Sequence, residues 1–467
     1  MKKWVLWGMT IMGTNNTFAK VYYDHEAHPI PLVDVSIVLP IGFETKNPED
    51  SGAANLLSDM LENGTATLDR QAFLDKLASY GASTSFSVSN QYSYIRFSFP
   101  LLKDKNYDEL IRVFAENWQK PRWTQDNFKL AVLKMESALT GALDSDMSLG
   151  ISTARRWVNK KEFGGNPLFI DKLKKLTIDR VKAVHEKNFL TVPEMWVGVV
   201  GPTESAPLVK KMLAAMFPQQ GEVIEGQRLE KMKVLAPADA SKAKASKTIL
   251  VVDKPGRNQT VTSVTAINPH DLPDDEDLAF QFGNHILVDS GLGSLFGDEI
   301  RNKRGLAYSV SGVSSQYLGF PVLGFAANPV RDRTDEAFGV FANLMKTSFE
   351  TGTVFSEIPQ DTWDRQWNSF TYSRILERST PMGRLGERMS IITGGQSADL
   401  YKKPVSEWKV SKKDIEKLFS DHWKKSIITM SFVGEAKELK PLVEKHFPAY
   451  AVKVLSYKDT IKSSTYE

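Results

Sequence analysis

The run Asp179-Arg-Val-Lys-Ala-Val-His-Glu186, followed by Met195-Trp-Val-Gly-Val-Val-Gly201, Leu208-Val-Lys-Lys-Met-Leu213 and Phe217-Pro218, decides how this chain is built. Its first and third pieces are amphipathic helices, and the middle piece is a short apolar run with the length of a buried strand. The same order returns as Asp414-Ile-Glu-Lys-Leu-Phe-Ser-Asp421, Ile428-Thr-Met-Ser-Phe-Val-Gly434, Leu439-Lys-Pro-Leu-Val-Glu-Lys445 and Phe447-Pro448. The separation is 235 residues from Asp179 to Asp414 and 230 from Phe217 to Phe447. A helix–strand–helix unit repeated with matched Val-Gly and Phe-Pro ends signals a duplicated α+β domain.

Each copy opens on strand signals. Val33-Asp-Val-Ser-Ile-Val-Leu39 alternates polar and apolar side chains, and a hairpin-like pair follows at Ala82–Ser89 and Tyr92–Phe99. The second copy has Thr248-Ile-Leu-Val-Val252 and Gln259-Thr-Val-Thr-Ser-Val-Thr265, and long helical stretches such as Tyr107–Trp118 and Gln125–Leu143 lie between strands. The pattern predicts two homologous domains, each a mostly antiparallel sheet with helices packed on one face. Residues 20–218 form the first domain and 248–450 the second. The polar, Ala/Lys-rich stretch 219–247 is expected to be a linker, and the Lys/Ser/Thr-rich 451–467 a loosely held tail.

The beginning of the chain reads as a leader. Met1-Lys2-Lys3 is basic, Trp4–Gly13 is a short apolar run, and Thr14–Ala19 is polar and ends in small residues. That order is a secretory signal peptide over 1–19, too short in its apolar part to span a bilayer. Export to a periplasm or to the outside is the expectation, with no transmembrane segment afterwards. No cysteine occurs, which removes disulfides, thiolate metal sites and a lipidated Cys together. Two of the 59 Lys and Arg lie in the leader, so 57 face 56 Asp and Glu in the remainder, a balance that does not point to nucleic acid.

The segment with most chemical content is Ser51-Gly-Ala-Ala-Asn55-Leu-Leu-Ser58-Asp59-Met-Leu-Glu-Asn-Gly64-Thr65. Its frame resembles the active-site helix of the pitrilysin and insulin-degrading enzyme family, an inverted-zincin group whose motif is H-x-x-E-H. On that resemblance Asn55, Ser58 and Asp59 stand where His, Glu and His would be. A neutral amide is a poor zinc ligand, and a serine hydroxyl cannot act as the general base at neutral pH. The family's third ligand is a Glu on a later helix, for which Val132-Leu-Lys-Met135-Glu136 is the comparable run. The alignment puts Met135 on the ligand position, with Glu136 one residue away. One amide and one or two carboxylates do not make a zinc site. Of the seven histidines, His25-Glu-Ala-His28 comes nearest to a ligand pair, and it reads as loop.

The second domain keeps a different feature. Leu295-Phe-Gly-Asp-Glu-Ile-Arg301-Asn-Lys-Arg304-Gly305-Leu-Ala-Tyr308-Ser-Val310 resembles the family's signature in which an Arg and a Tyr reach the substrate across the cleft, and Asp253-Lys-Pro-Gly256-x-x-Gln259 matches as well. The resemblance implies Arg301 and Tyr308 as substrate-binding residues. The bland alternative pairs Arg301 with Glu299 and buries Tyr308.

The family joins two such halves as a clamshell, within one chain or between two. This sequence resembles the half without H-x-x-E-H. The resemblance implies an exported non-catalytic subunit of a heterodimeric zinc metallopeptidase, with no cofactor of its own. The zinc is expected on a homologous partner chain carrying H-x-x-E-H, and the substrate is a peptide or unfolded protein bound as an added strand. A metal-free peptide-binding or structural homologue is the competing expectation.

Overall fold

The computed structural model describes residues 19–235, 243–268, 272, 274–289, 293–318 and 320–467. The leader assigned to 1–19 therefore lies, except for Ala19, outside the described residues.

Two six-stranded sheets organise the chain. The first holds β1 (Ala19–Ala27), β2 (Leu32–Leu39), β3 (Ser83–Val88), β4 (Ser93–Pro100), β5 (Glu194–Gly201) and β6 (Gln220–Glu225), in spatial order β3-β4-β2-β5-β1-β6. The second holds β7 (Ser246–Asp253), β8 (Val261–Ile267), β9 (Ala307–Tyr317), β10 (Phe320–Pro329), β11 (Ile427–Gly434) and β12 (Ala451–Ser456), in order β9-β10-β8-β11-β7-β12. Strand for strand the two orders coincide. In the first sheet β3, β4, β2 and β5 pair antiparallel, while β1 runs parallel to both β5 and β6. The second sheet repeats this pattern, so each sheet is mixed with its antiparallel part the larger.

Helices α1 (Ala53–Leu61), α2 (Arg70–Ser79), α3 (Asp108–Gln119), α4 (Gln125–Gly141) and α5 (Asp146–Trp157) belong to the first domain. Asp69, Thr124 and Ser145 cap α2, α4 and α5 by accepting a backbone N–H three residues on. α3 presents Leu110, Val113, Phe114 and Trp118 along one face to the sheet, as its 3.6-residue spacing requires. In the second domain the helix Thr334–Met345 does the same with Ala337, Phe338, Phe341 and Leu344.

The opposite face of each sheet is covered by the other domain. α5 lies across β8 and β11, with Gly150 facing Ser431 and Val433 of β11. Reciprocally, the helix Pro381–Ile392 lies across β1 and β5. Arg388 on it is fully buried, its Nε 2.5 Å from Asp24 Oδ2 and its Nη2 2.6 Å from Glu26 Oε1, both acids on β1. Lys254, from the Asp-Lys-Pro-Gly turn, donates to the Leu143 carbonyl at 2.5 Å and to Asp146 Oδ1 at 2.6 Å, between the end of α4 and the start of α5.

Three sequence expectations change here. The stretch 219–247 is not all linker, since Gln220–Glu225 pairs with β1 and β7 begins at Ser246. The tail is not loosely held: Ala451–Ser456 pairs with β7, and Ile461 and Tyr466 are buried. Tyr466 meets Phe169 of the first domain at 5.2 Å between ring centroids. Both β6 and β12 are outermost strands, where polar and Lys side chains are compatible with a sheet edge, so composition alone makes them look like loops. His25 lies inside β1 rather than in a loop, and its Nε2 is 3.1 Å from the Gly201 carbonyl.

Candidate functional site

α1 enters through Gly52, whose backbone is left-handed at φ 89°. Its apolar face buries Leu56, Leu57 and Met60, which leaves Asn55, Ser58 and Asp59 only half-buried. Ser58 Oγ donates to the Phe86 carbonyl of β3 at 2.9 Å. Asp59 Oδ1 lies 3.5 Å from Lys134 Nζ on α4, with Glu62 Oε2 at 4.0 Å from the same ammonium. Burial pushes the Asp59 carboxyl up, and Lys134 opposes that shift. Asn55 Oδ1 is buried with no hydrogen-bond partner among the described residues.

Both candidate residues of the later helix are engaged. Met135 is packed on the apolar core, whereas the Glu136 carboxylate is held by Lys174 at 2.8 Å. An ammonium beside Asp59 and another on Glu136 supply the positive charge those acids need, so neither is left waiting for a cation. Among the described residues no group of three or more His, Cys, Asp or Glu is gathered as metal ligands. An amide, a hydroxyl, a lysine-paired acid and a thioether do not suit zinc, and we derive no step through a metal on this chain.

Arg301 and Tyr308 are brought together. Arg301 sits in the turn Asp298–Asn302, and Gly305, left-handed at φ 58°, reverses the chain by donating its N–H to the Arg301 carbonyl at 2.8 Å. The reversal delivers Tyr308 as the second residue of β9, the outer strand of its sheet. The Arg301 guanidinium stacks on the Tyr308 ring at 5.0 Å, and Tyr308 is 79% exposed. Glu299 is occupied by Lys303 and Arg304 instead. The bland alternative, an Arg301–Glu299 pair over a buried tyrosine, is therefore not what forms.

Sequence reasoning missed the support behind this pair. Gln259 accepts from Asn328 Nδ2 at 3.0 Å, and Asn328 Oδ1 accepts from the Ser309 hydroxyl at 2.8 Å. This chain of bonds fixes the start of β9 beside Tyr308. Gln259 was visible in the sequence, but its partner Asn328 lies 69 residues away and carries no local signal.

Residues 175–365 match the family model described as the Peptidase M16 inactive domain. A search of the curated proteins returns no match. Among solved structures, the chain is similar to a peptidase M16 inactive domain from Pseudomonas fluorescens, at 16% identity and TM-score 0.69, covering 94% of this chain and 98% of that one. A protease from Helicobacter pylori aligns at 16% identity and TM-score 0.68 over 88% of this chain and 96% of that one. The first half of the periplasmic protease PqqL from Escherichia coli aligns at 12% identity and TM-score 0.62, over 97% and 95% respectively. At such identities these likenesses speak for the fold. No helix among the described residues is long and apolar enough to cross a membrane. Residues 175–365 thus match the Peptidase M16 inactive domain, and the chain as a whole has the fold of these structures.

Proposed function

We propose that this chain is the exported, non-catalytic subunit of a two-chain zinc metallopeptidase, and that Arg301 and Tyr308 complete the substrate cleft of a homologous partner carrying H-x-x-E-H. The observation that carries the reading is an arginine with no acid partner among the described residues, stacked on a 79% exposed tyrosine at the edge of a sheet. Burying both groups would be the ordinary outcome for a purely structural pair, and here Tyr308 is exposed and Arg301 only half-buried.

The chemistry suits the role. A guanidinium offers a rigid fork of donors to a substrate backbone carbonyl and stays charged at any relevant pH. A phenol can donate a hydrogen bond to the oxyanion that develops as a peptide carbonyl is attacked. The outer strand β9 presents backbone groups to an extended peptide. Supplying these groups in trans needs no metal on this chain. The half-length likeness to a periplasmic protease and the leader support export and a partner of similar build.

The test is reconstitution. The chain should co-purify with a homologue bearing H-x-x-E-H, and peptide cleavage should appear only on mixing the two. Arg301→Ala and Tyr308→Phe should each lower turnover of the mixture by about a hundredfold, the size of a lost oxyanion or positioning contact, while the assembly persists on gel filtration. Unchanged turnover removes their role. A chain that binds peptide yet never supports cleavage would favour the metal-free peptide-binding or structural homologue.

A further inference from the structure

A cavity of about 930 Å³ lies between the two domains, lined by neither α1's polar face nor the Arg301–Tyr308 pair. We propose that it receives the C-terminal carboxylate of an extended peptide, with Arg155 as the anchoring cation. The identity of the ligand rests on the peptide-binding role proposed above, whereas the site itself does not.

The position follows from the duplication. The turn between β3 and β4 (89–92) and the residues Tyr317, Leu318 and Pro321 around the equivalent turn of the second sheet both line the cavity. β3 and β9 are the outer strands of their sheets, so both free edges run toward it. A segment added along the six residues of β3 would extend for about 20 Å. One end of such a segment arrives at the cavity.

Charge selects which end. Four charged side chains lie on the described wall: Arg155, Lys231, Arg374 and Asp277. Asp277 Oδ2 already accepts the Ser397 backbone N–H at 2.8 Å and the Gln281 amide at 3.0 Å. Arg374 is engaged with Glu377 and Gln281. Arg155, exposed at the end of α5, lies over the Tyr317 ring at 5.9 Å and pairs with no acid among the described residues. An arginine with no acid partner among the described residues, beside an acid already committed, favours a carboxylate over an ammonium group. The volume is that of an ordinary ligand site, and Phe43, Tyr92 and Phe280 give apolar wall for the adjoining side chains.

The experiment uses the full chain alone and a fluorescent, N-acylated hexapeptide, compared with its C-terminal amide by anisotropy at low salt. The acid should bind about tenfold tighter than the amide, the size of one charge-assisted hydrogen bond. Arg155→Ala should abolish that preference, Arg155→Lys should keep part of it, and Arg365→Ala, at an exposed arginine paired with Asp361, should leave it intact. The Tyr317 hydroxyl donates to the backbone carbonyl of Arg155, so these substitutions leave that hydrogen bond in place while removing the guanidinium from the ring, and near-UV circular dichroism checks the fold. Equal binding of acid and amide, no binding of either, or a preference that survives Arg155→Ala overturns the proposal. So does a preference lost in Arg365→Ala as well. Failure of reconstituted cleavage alongside an intact acid preference would count against the subunit role and not against this site.

Discussion

Replacing Arg388 with Met tests how the two domains are held together. The guanidinium is 0% exposed, between Asp24 at 2.5 Å and Glu26 at 2.6 Å, and it donates to the Tyr401 hydroxyl at 2.8 Å. Glu26 keeps Arg384 at 2.8 Å after the change, while Asp24, 4% exposed, keeps no ion-pair partner among the described residues. Removing one member of a buried pair costs about 3–5 kcal/mol, most of it the stranded charge. Burial already raises the Asp24 carboxyl against the pull of Arg388, and loss of the cation raises it further. The native state then binds more protons than the unfolded one, so the variant loses stability as pH rises through the folded pKa. The deficit should be larger at pH 8 than at pH 5. Urea unfolding followed by tryptophan fluorescence suits the measurement, because Trp196 is buried in the cluster that includes Leu385. Adding Asp24→Asn should recover at least half of the loss. A cost under about 1 kcal/mol at pH 8, or strict additivity of the two changes, refutes the argument.

Other consequences are independent of that pair. His185 and His422 are buried, which lowers each to about 4. The unfolded chain takes up their protons first, so stability is complete above about pH 6.5 and falls toward pH 4 by on the order of 3 kcal/mol per histidine. His422→Phe should remove about half of that decline in urea titrations, and an unaltered slope contradicts it. Gly324→Ala should cost about 1–3 kcal/mol, since a Cβ would lie 1.9 Å from the Val264 carbonyl across the β8–β10 pair; thermal unfolding at the parent's Tm would contradict this. Asn55→His, Ser58→Glu and Asp59→His together should still not give stoichiometric zinc by metal analysis, because Met135 offers a thioether and Lys134 an adjacent ammonium. Tight binding by that triple variant would show the site to be more adaptable than its geometry.

Several features could be read from the chain because their causes are local. Alternation marked β2 and β4, an apolar run marked β5, and the spacing of Asn55, Ser58 and Asp59 put them on one side of a helix. Arg301 and Tyr308 could be named from their motif, but their stacking depends on the left-handed turn at Gly305 and on Glu299 being taken by other cations. β1 was missed because its second half, Asp24-His-Glu-Ala27, is polar and reads as loop, and β6 and β12 were missed because outer strands tolerate polar side chains. Arg155 showed no sign of its setting. It is one arginine on a helix until the two hairpin turns close around it.

By itself the sequence determined the duplication and the α+β character of each half, since periodicity and residue type act over a few neighbours. Only the tertiary structure decided which helix covers which sheet, with α5 and Pro381–Ile392 each lying on the other domain. The contact of Arg388 with Asp24 spans 364 residues of chain. Such partners are chosen by shape and burial once both sheets exist, and nothing in the local pattern of either segment specifies the other.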